Sequence, residues 1–201
     1  FKTLIHHFGT KAWQNSLDDF MSDRVRLENL LARQRDIAKV PVKLPNGDSL
    51  FLSSGKHNDL QKAIIEDFLP RFGYECEVLY IGDTTDKMLF LNESTLKDLH
   101  FFELSHNELP DIIAYSKSRN WLYLIEAVHS SGPISEVRML ELKKLTELCK
   151  AEIVFVTAFL TKTEFKKWAT EIAWETEVWI AENPDHLIHF NGDKFMGPYK
   201  T

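Results

Sequence analysis

Only two cysteines, Cys76 and Cys149, occur in 201 residues, and they stand far apart. That excludes a disulfide framework and a multi-cysteine zinc site, and it fits a reducing compartment. Long apolar runs are also missing. Val78 to Ile81, Trp121 to Val128 and Ile153 to Leu160 are of strand length, below the roughly 18 apolar residues that mark a membrane span. The chain shows no signal-peptide pattern, no internal repeat and no low-complexity segment. A cytoplasmic protein with no membrane contact is the expectation. Also missing is an excess of positive charge, since the formal net charge is -6. On average this argues against a phosphate-binding surface. What is present, 44% hydrophobic and 27% charged residues, excludes a disordered tail and supports one generous core or two small ones.

The charge is unevenly spread. Residues 1–62 hold ten Lys and Arg against seven Asp and Glu, whereas 63–201 hold fourteen against twenty-three. An acidic body able to carry metal ligands beside a basic N-terminal part that touches phosphate is one reading; a solvated surface is the other. The chain begins at Phe1 and enters a helical pattern directly, from which a piece of a longer protein is expected.

Apolar residues from Trp13 to Ile37 recur at three- and four-residue spacing, predicting one or two helices. Two prolines and Asn46-Gly47, between alternating apolar residues, predict a linker or small hairpin and the best boundary, with units 1–44 and 45–201. Thereafter the order is α, β, β, β, α, β plus additions. A helix is predicted over Asp59 to Phe72, and strands over Glu75 to Ile81, Pro110 to Tyr115 and Trp121 to Val128. The last two are joined by a polar turn that suits an antiparallel hairpin. Ser135 opens a helix to about Lys150, followed by a strand from Glu152 to Ala158, a helix from Lys162 to Ala173, and short strands at Glu177 to Ala181 and His186 to Phe190. Residues 88–108 read as a mixed insertion.

Two acids stand out. Asp111 opens one strand of the predicted hairpin and Glu126 lies inside the apolar run of the other. A carboxylate in an apolar strand is costly unless something pairs with it. Two of them at a sheet end suit a hard divalent cation such as Mg²⁺, which takes oxygen ligands and keeps several waters. Strand-end acids reaching solvent are the alternative. His129 and Ser130 follow Glu126, but no third orienting group accompanies them, so a nucleophile–base hydrolase is disfavoured. The remaining histidines form no zinc pattern.

The order of elements, with Pro110-Asp111 and a Glu on the next strand, resembles the PD-(D/E)XK nuclease fold. More specifically, Gly55-Lys56-His57-Asn58, Tyr80-Ile81-Gly82-Asp83-Thr84, Leu109-Pro110-Asp111, Glu126-Ala127-Val128, Ser131-Gly132-Pro133 and Ile172-Ala173-Trp174-Glu175 resemble the catalytic domain of the BsuBI/PstI family of type II restriction endonucleases. The resemblance covers about residues 45–198. It implies an α/β domain whose mixed sheet is flanked by helices, preceded by a short helical remnant of an N-terminal DNA-binding region. It further implies Mg²⁺-dependent cleavage of double-stranded DNA at a six-base palindrome of the CTGCAG type by a homodimer. Asp111 and Glu126 would hold the metal.

The fold's pattern expects Lys two residues after the Glu, where this chain has Val128. Arg138, on the inward face of the following helix, is the first candidate for the missing cation and Lys56 the second; pairing of Arg138 with Glu141 or Glu136 is the competing expectation. Gln61 is expected to point from the first helix toward the acids, or to be a packing amide. Asp83 is a turn residue or a supporting acid. Lys56, Asn58, Lys87 and Ser130 are candidate DNA contacts, with Asn92, Lys97, His100 and Asn107 in the insertion as further groove-facing candidates. A catalytically inert DNA-binding or dimerisation module, or a structure-specific nuclease on the same core, are the alternatives.

Overall fold

The computed structural model describes residues 8, 10–37, 39–82, 89–101, 109–129 and 131–190. The chain divides into two compact units, 1–39 and 40–201. The first contains one helix, α1 (Lys11–Ile37), where the sequence allowed one or two. Its start is marked by Thr10, whose carbonyl and hydroxyl both accept from the Trp13 amide. Arg24 and Glu28, one turn apart, form an ion pair at 3.0 Å, worth a few tenths of a kcal/mol, about 0.3, at such exposure.

The second unit opens with the hairpin β1 (Val40–Lys43) and β2 (Ser49–Leu52). Gly47 at φ 93° supplies the left-handed turn residue, and Asn46 Oδ1 accepts the Asp48 amide at 3.0 Å. The hairpin is tied to the helical run α2, in which Glu66 accepts the Lys43 amide at 2.9 Å and Lys62 donates to the Pro41 carbonyl at 2.6 Å.

α2 comprises Lys56–Ala63, a π-helical turn Ile64–Phe68 and Leu69–Phe72. The π turn ends two residues before Pro70, which has no amide to donate and crowds the carbonyl four residues back, that of Glu66. Widening this turn carries the helix through the proline instead of ending it there. Gly73 follows as the stop because a Cβ there would lie 2.5 Å from the Leu69 carbonyl oxygen.

The remaining elements are β3 (Glu77–Ile81), β4 (Phe90–Leu91), α3 (Glu93–Asp98), β5 (Ile112–Ser116), β6 (Trp121–Val128), α4 (Glu136–Leu145), β7 (Glu152–Phe159), α5 (Lys162–Trp168), β8 (Thr176–Ile180) and β9 (Leu187–Phe190). Seven strands form one sheet in the order β4-β3-β5-β6-β7-β8-β9. β3, β5 and β6 pair antiparallel, β6, β7 and β8 parallel, and β9 returns antiparallel. This is the expected α/β architecture with a mixed sheet. β4 and α3 resolve part of the predicted insertion.

Alternation sorts the strand residues into two layers. Ile112, Ala114, Tyr123, Ile125 and Ala127 pack toward Leu60, Ile64, Ile65 and Phe68 of α2. Ile113, Leu122 and Leu124 face Leu96 of α3 and Leu142 of α4. In β3 the alternation breaks: Leu79 and Tyr80 both join the second layer because the register shifts between Val78 and Tyr80. A bulge there inserts an extra residue and keeps Ile81 on the α2 side. Trp179 of β8 is fully buried, its ring centroid 5.6 Å from that of Phe68. None of the described helices is long and apolar enough to cross a membrane.

Candidate active site

Three strand ends converge where the antiparallel part of the sheet meets the parallel part. β5 and β6 pair Ile112 with Ile125, so the next step along the ladder sets Asp111 opposite Glu126. On the other side Ile81 pairs with Ile112, and the Gly82 amide donates to the Asp111 carbonyl at 2.9 Å. The position of Asp111 is therefore dictated by two strands at once. Its side chain continues the ladder, with Oδ2 accepting the Ala127 amide at 2.7 Å.

Glu126, 8% exposed, is the one charged residue type buried among the described residues. Asp111 faces it across the ladder, near enough for its charge to act on the Glu126 carboxyl. Burial and then the Asp111 charge push its carboxyl well above the usual carboxylate range, with Arg138 opposing them. Two carboxylates this close hold a proton between them or a cation.

α4 delivers Arg138. Ser135 caps the helix by accepting the Arg138 amide at 3.3 Å, which places that residue in the first turn above the end of β6. Its Nε and Nη2 both lie 2.9 Å from Glu126 Oε1. Nη2 also donates to the Leu109 carbonyl at 3.1 Å, and Nη1 to Glu141 at 3.2 Å. Arg138 thus reaches Glu126 from the inward face of α4 and pairs with Glu141 as well. Val128 supplies no cation at the strand's end.

α2 delivers two more groups. Gln61 is fully buried, and its Nε2 donates to the Gly82 carbonyl at 2.5 Å. Its Oε1 is buried with no hydrogen-bond partner among the described residues. One turn earlier, His57 Nε2 lies 3.4 Å from Asp111 Oδ1. Burial lowers the His57 pKa, but the hydrogen bond and charge of Asp111 outweigh it, and the net shift is upward. His57 stands in a motif used for the resemblance yet was not among the candidate site residues. Its four-residue spacing from Gln61, which puts both on one helix face, was the available signal.

The other candidates fall away from the acids. Asn58 is buried, and its amide donates to the Ser53 carbonyl and hydroxyl, both at 2.8 Å. It braces the loop before α2 and offers no outward surface to DNA. Lys56 is exposed at the start of α2. Asn92 caps α3 by accepting the Thr95 amide, and Lys97 pairs with Glu93 at 2.6 Å. Lys87, Ser130, Asp83 and Asn107 lie outside the described residues.

Among the described residues no group of three or more His, Cys, Asp and Glu side chains gathers to hold a metal. The facing carboxylates of Asp111 and Glu126 are an oxygen donor pair suited to Mg²⁺, which is bound through one or two carboxylates while retaining waters.

A mixed sheet with paired acids at the end of its central hairpin defines the class of nuclease-like α/β domains. Residues 40–193 match the family model described as the BsuBI/PstI restriction endonuclease domain, and the chain belongs to that family. It is 41% identical over 197 residues to the type II restriction enzyme BsuBI of Bacillus subtilis, covering 98% of this chain and 62% of that protein. It is 31% identical over 201 residues to the type II restriction enzyme AplI of Arthrospira platensis, covering 96% of this chain and 61% of that one. The solved structure of SdaI restriction endonuclease superposes with a TM-score of 0.77 at 40% identity, over 98% of this chain and 62% of that one. The chain thus spans about three fifths of the length of these relatives.

Proposed function

We propose that this chain carries the catalytic domain of a Mg²⁺-dependent type II restriction endonuclease that cleaves double-stranded DNA at a short palindrome, CTGCAG-like by family resemblance. The observation that supports this most directly is Asp111 facing Glu126 across the strand ladder, inside a domain of the BsuBI/PstI family. A homodimer would match the two-fold symmetry of a palindrome. The first unit, residues 1–39, is read as part of a DNA-binding region; residues 40–44, grouped with it from the sequence, belong instead to the hairpin that opens the second unit.

Asp111 and Glu126 would hold the ion, with the Gln61 oxygen accepting from a water bound to it. Mg²⁺ there would polarise the scissile phosphate and lower the pKa of the attacking water. Arg138 keeps Glu126 oriented through its two nitrogens and supplies the positive charge that Val128 lacks. The Ala127 amide holds Asp111 in plane with the ladder, so neither carboxylate must reorganise when substrate binds. Exposed Lys56 stands at the start of the helix that carries His57 and Gln61, where backbone phosphate can be met.

One observation favours a second reading. The Arg138 fork is occupied by Glu126, Glu141 and the Leu109 carbonyl, which is also how an inert DNA-binding module on this fold would be stabilised. A plasmid digest with Mg²⁺, beside an EDTA control and Asp111→Ala, separates the two. Discrete fragments absent from both controls establish the endonuclease, and sequencing their ends reads the target. Binding to DNA without cleavage, even with the N-terminal region of the longer relatives restored, establishes the inert module. Cutting of a four-way junction but not of linear duplex selects the structure-specific nuclease.

A further inference from the structure

Just beyond Glu126 a cleft of about 510 Å³ opens between the end of β6, the start of α2 and the helix α5. Its floor is Val128, on the same face of β6 as Glu126. One wall is the Trp168 indole, packed against the cluster of Val128, Phe159, Ile172, Val178 and Ile180. A Cβ on Gly132 would lie 3.7 Å from the Trp168 ring, so the loop after β6 backs closely onto it.

Its polar groups have a specific incompleteness. Lys56 and Lys167 project at its edges, and neither forms an ion pair among the described residues. Glu164 Oε1 lies 3.9 Å from His129 Nδ1, whereas Oε2 is withdrawn from solvent and has no hydrogen-bond partner among the described residues. Glu171 sets the remaining charge at the rim. With as many acids as lysines the cleft is not a simple anion trap. It combines two phosphate-seeking ammonium groups, a rigid aromatic surface and an acceptor that lacks a donor, in a volume typical of small-ligand sites.

A nucleotide offers the complement of all three: a phosphate for lysine, a flat sugar–base surface for an indole, and an exocyclic amino N–H for a carboxylate. We propose that this cleft receives the nucleotide adjoining the scissile phosphate, with its own phosphate on Lys56 and Lys167, its base or sugar against Trp168, and a base amino group donating to the Glu164 carboxylate, which turns its unpartnered oxygen to the cleft on binding. The inference rests on the DNA-cleaving reading above. It is contiguous with that site, since Lys56 neighbours His57, which touches Asp111, and Val128 is two residues beyond Glu126. Glu164 is thereby a base-selecting residue and Lys167 a backbone contact.

The test uses the whole chain and a 20-base-pair duplex carrying the mapped cut site, or a mixed-sequence duplex of about that length if no site is mapped. Binding is followed in EDTA across a salt series, and cleavage in Mg²⁺ against single-base variants. Lys167→Ala should weaken binding about three- to tenfold and reduce the slope of log affinity against log salt by about one. Lys166→Ala, on the same helix but outside the cleft, should do neither. Glu164→Ala should reduce discrimination at one base pair by about tenfold while leaving other positions unchanged. Trp168→Leu, which retains apolar packing, should weaken binding to a similar extent as Lys167→Ala, with thermal melts confirming that each variant folds. DNA cleavage with all three cleft variants like the parent overturns the cleft and leaves the endonuclease standing. A chain that neither binds nor cuts DNA overturns both.

Discussion

Asp111 Oδ2 accepts the Ala127 amide at 2.7 Å, so a side chain, not a backbone carbonyl, provides the next hydrogen bond along the β5–β6 ladder. The acid is therefore structural and chemical at the same time. Asp111→Asn keeps an oxygen acceptor and should fold like the parent while losing cleavage by at least about 1000-fold, on the scale of losing a key charge-stabilising group. Asp111→Ala should in addition cost roughly 1–3 kcal/mol in urea unfolding, because it strands the Ala127 amide. Equal stability of the two variants would contradict the ladder role.

Arg138 and Glu126 form the most buried ion pair described, with side chains 21% and 11% exposed. Removing one partner leaves the other charge uncompensated. Arg138→Met should cost about 3 kcal/mol. Combining it with Glu126→Gln should recover part of that loss, giving a coupling energy of about 1–3 kcal/mol in a double-mutant cycle. Arg138→Lys retains charge without the planar fork, and its cleavage rate should fall on the order of 100-fold through misplacement of Glu126.

Gln61 has one satisfied and one unsatisfied polar atom, the satisfied one on the Gly82 carbonyl, whose residue bonds Asp111 through its amide. Gln61→Leu should change stability in EDTA by only about 1 kcal/mol, since it loses a hydrogen bond but also a stranded oxygen. The rise in melting temperature produced by Mg²⁺ should shrink, because binding to the native state stabilises it in proportion to affinity. An unchanged Mg²⁺-induced shift would reduce Gln61 to a packing amide.

The raised Glu126 pKa gives stability in chelator a defined slope. A carboxyl whose folded-state pKa exceeds its unfolded value binds more protons when folded, so its contribution is full below the unfolded pKa and is lost as pH rises through the folded one. From pH 4 upward the parent should lose stability relative to Glu126→Gln until Glu126 has ionised. Parallel urea midpoints for the two proteins across that range would show that Arg138 fully offsets burial and Asp111.

The strand Trp121–Val128 and the opening of α4 at Ser135 were legible in the sequence, because an unbroken apolar run bounded by polar turns and an N-cap serine are local signals. The outward role expected for Asn58 was not met. Residue type alone does not tell whether an amide faces solvent or a loop carbonyl. Other features had no local signature: the bulge that turns both Leu79 and Tyr80 into one layer depends on how β3 registers with β5, and the π turn reports a conflict between Pro70 and continued burial of α2.

The sequence by itself determined the class of the domain, the family resemblance and the identity of the two acids, since hairpin spacing places Asp111 and Glu126 on neighbouring strands. Tertiary structure alone decided what surrounds them. Arg138 comes from α4 and His57 and Gln61 from α2, and where they stand is set by packing of these two helices on opposite faces of the sheet. The Glu164–Trp168 cleft likewise exists only where α5 crosses the end of β6. Periodicity along a chain specifies which face of an element is buried, but distances between elements follow from register and layer packing, which no single segment encodes.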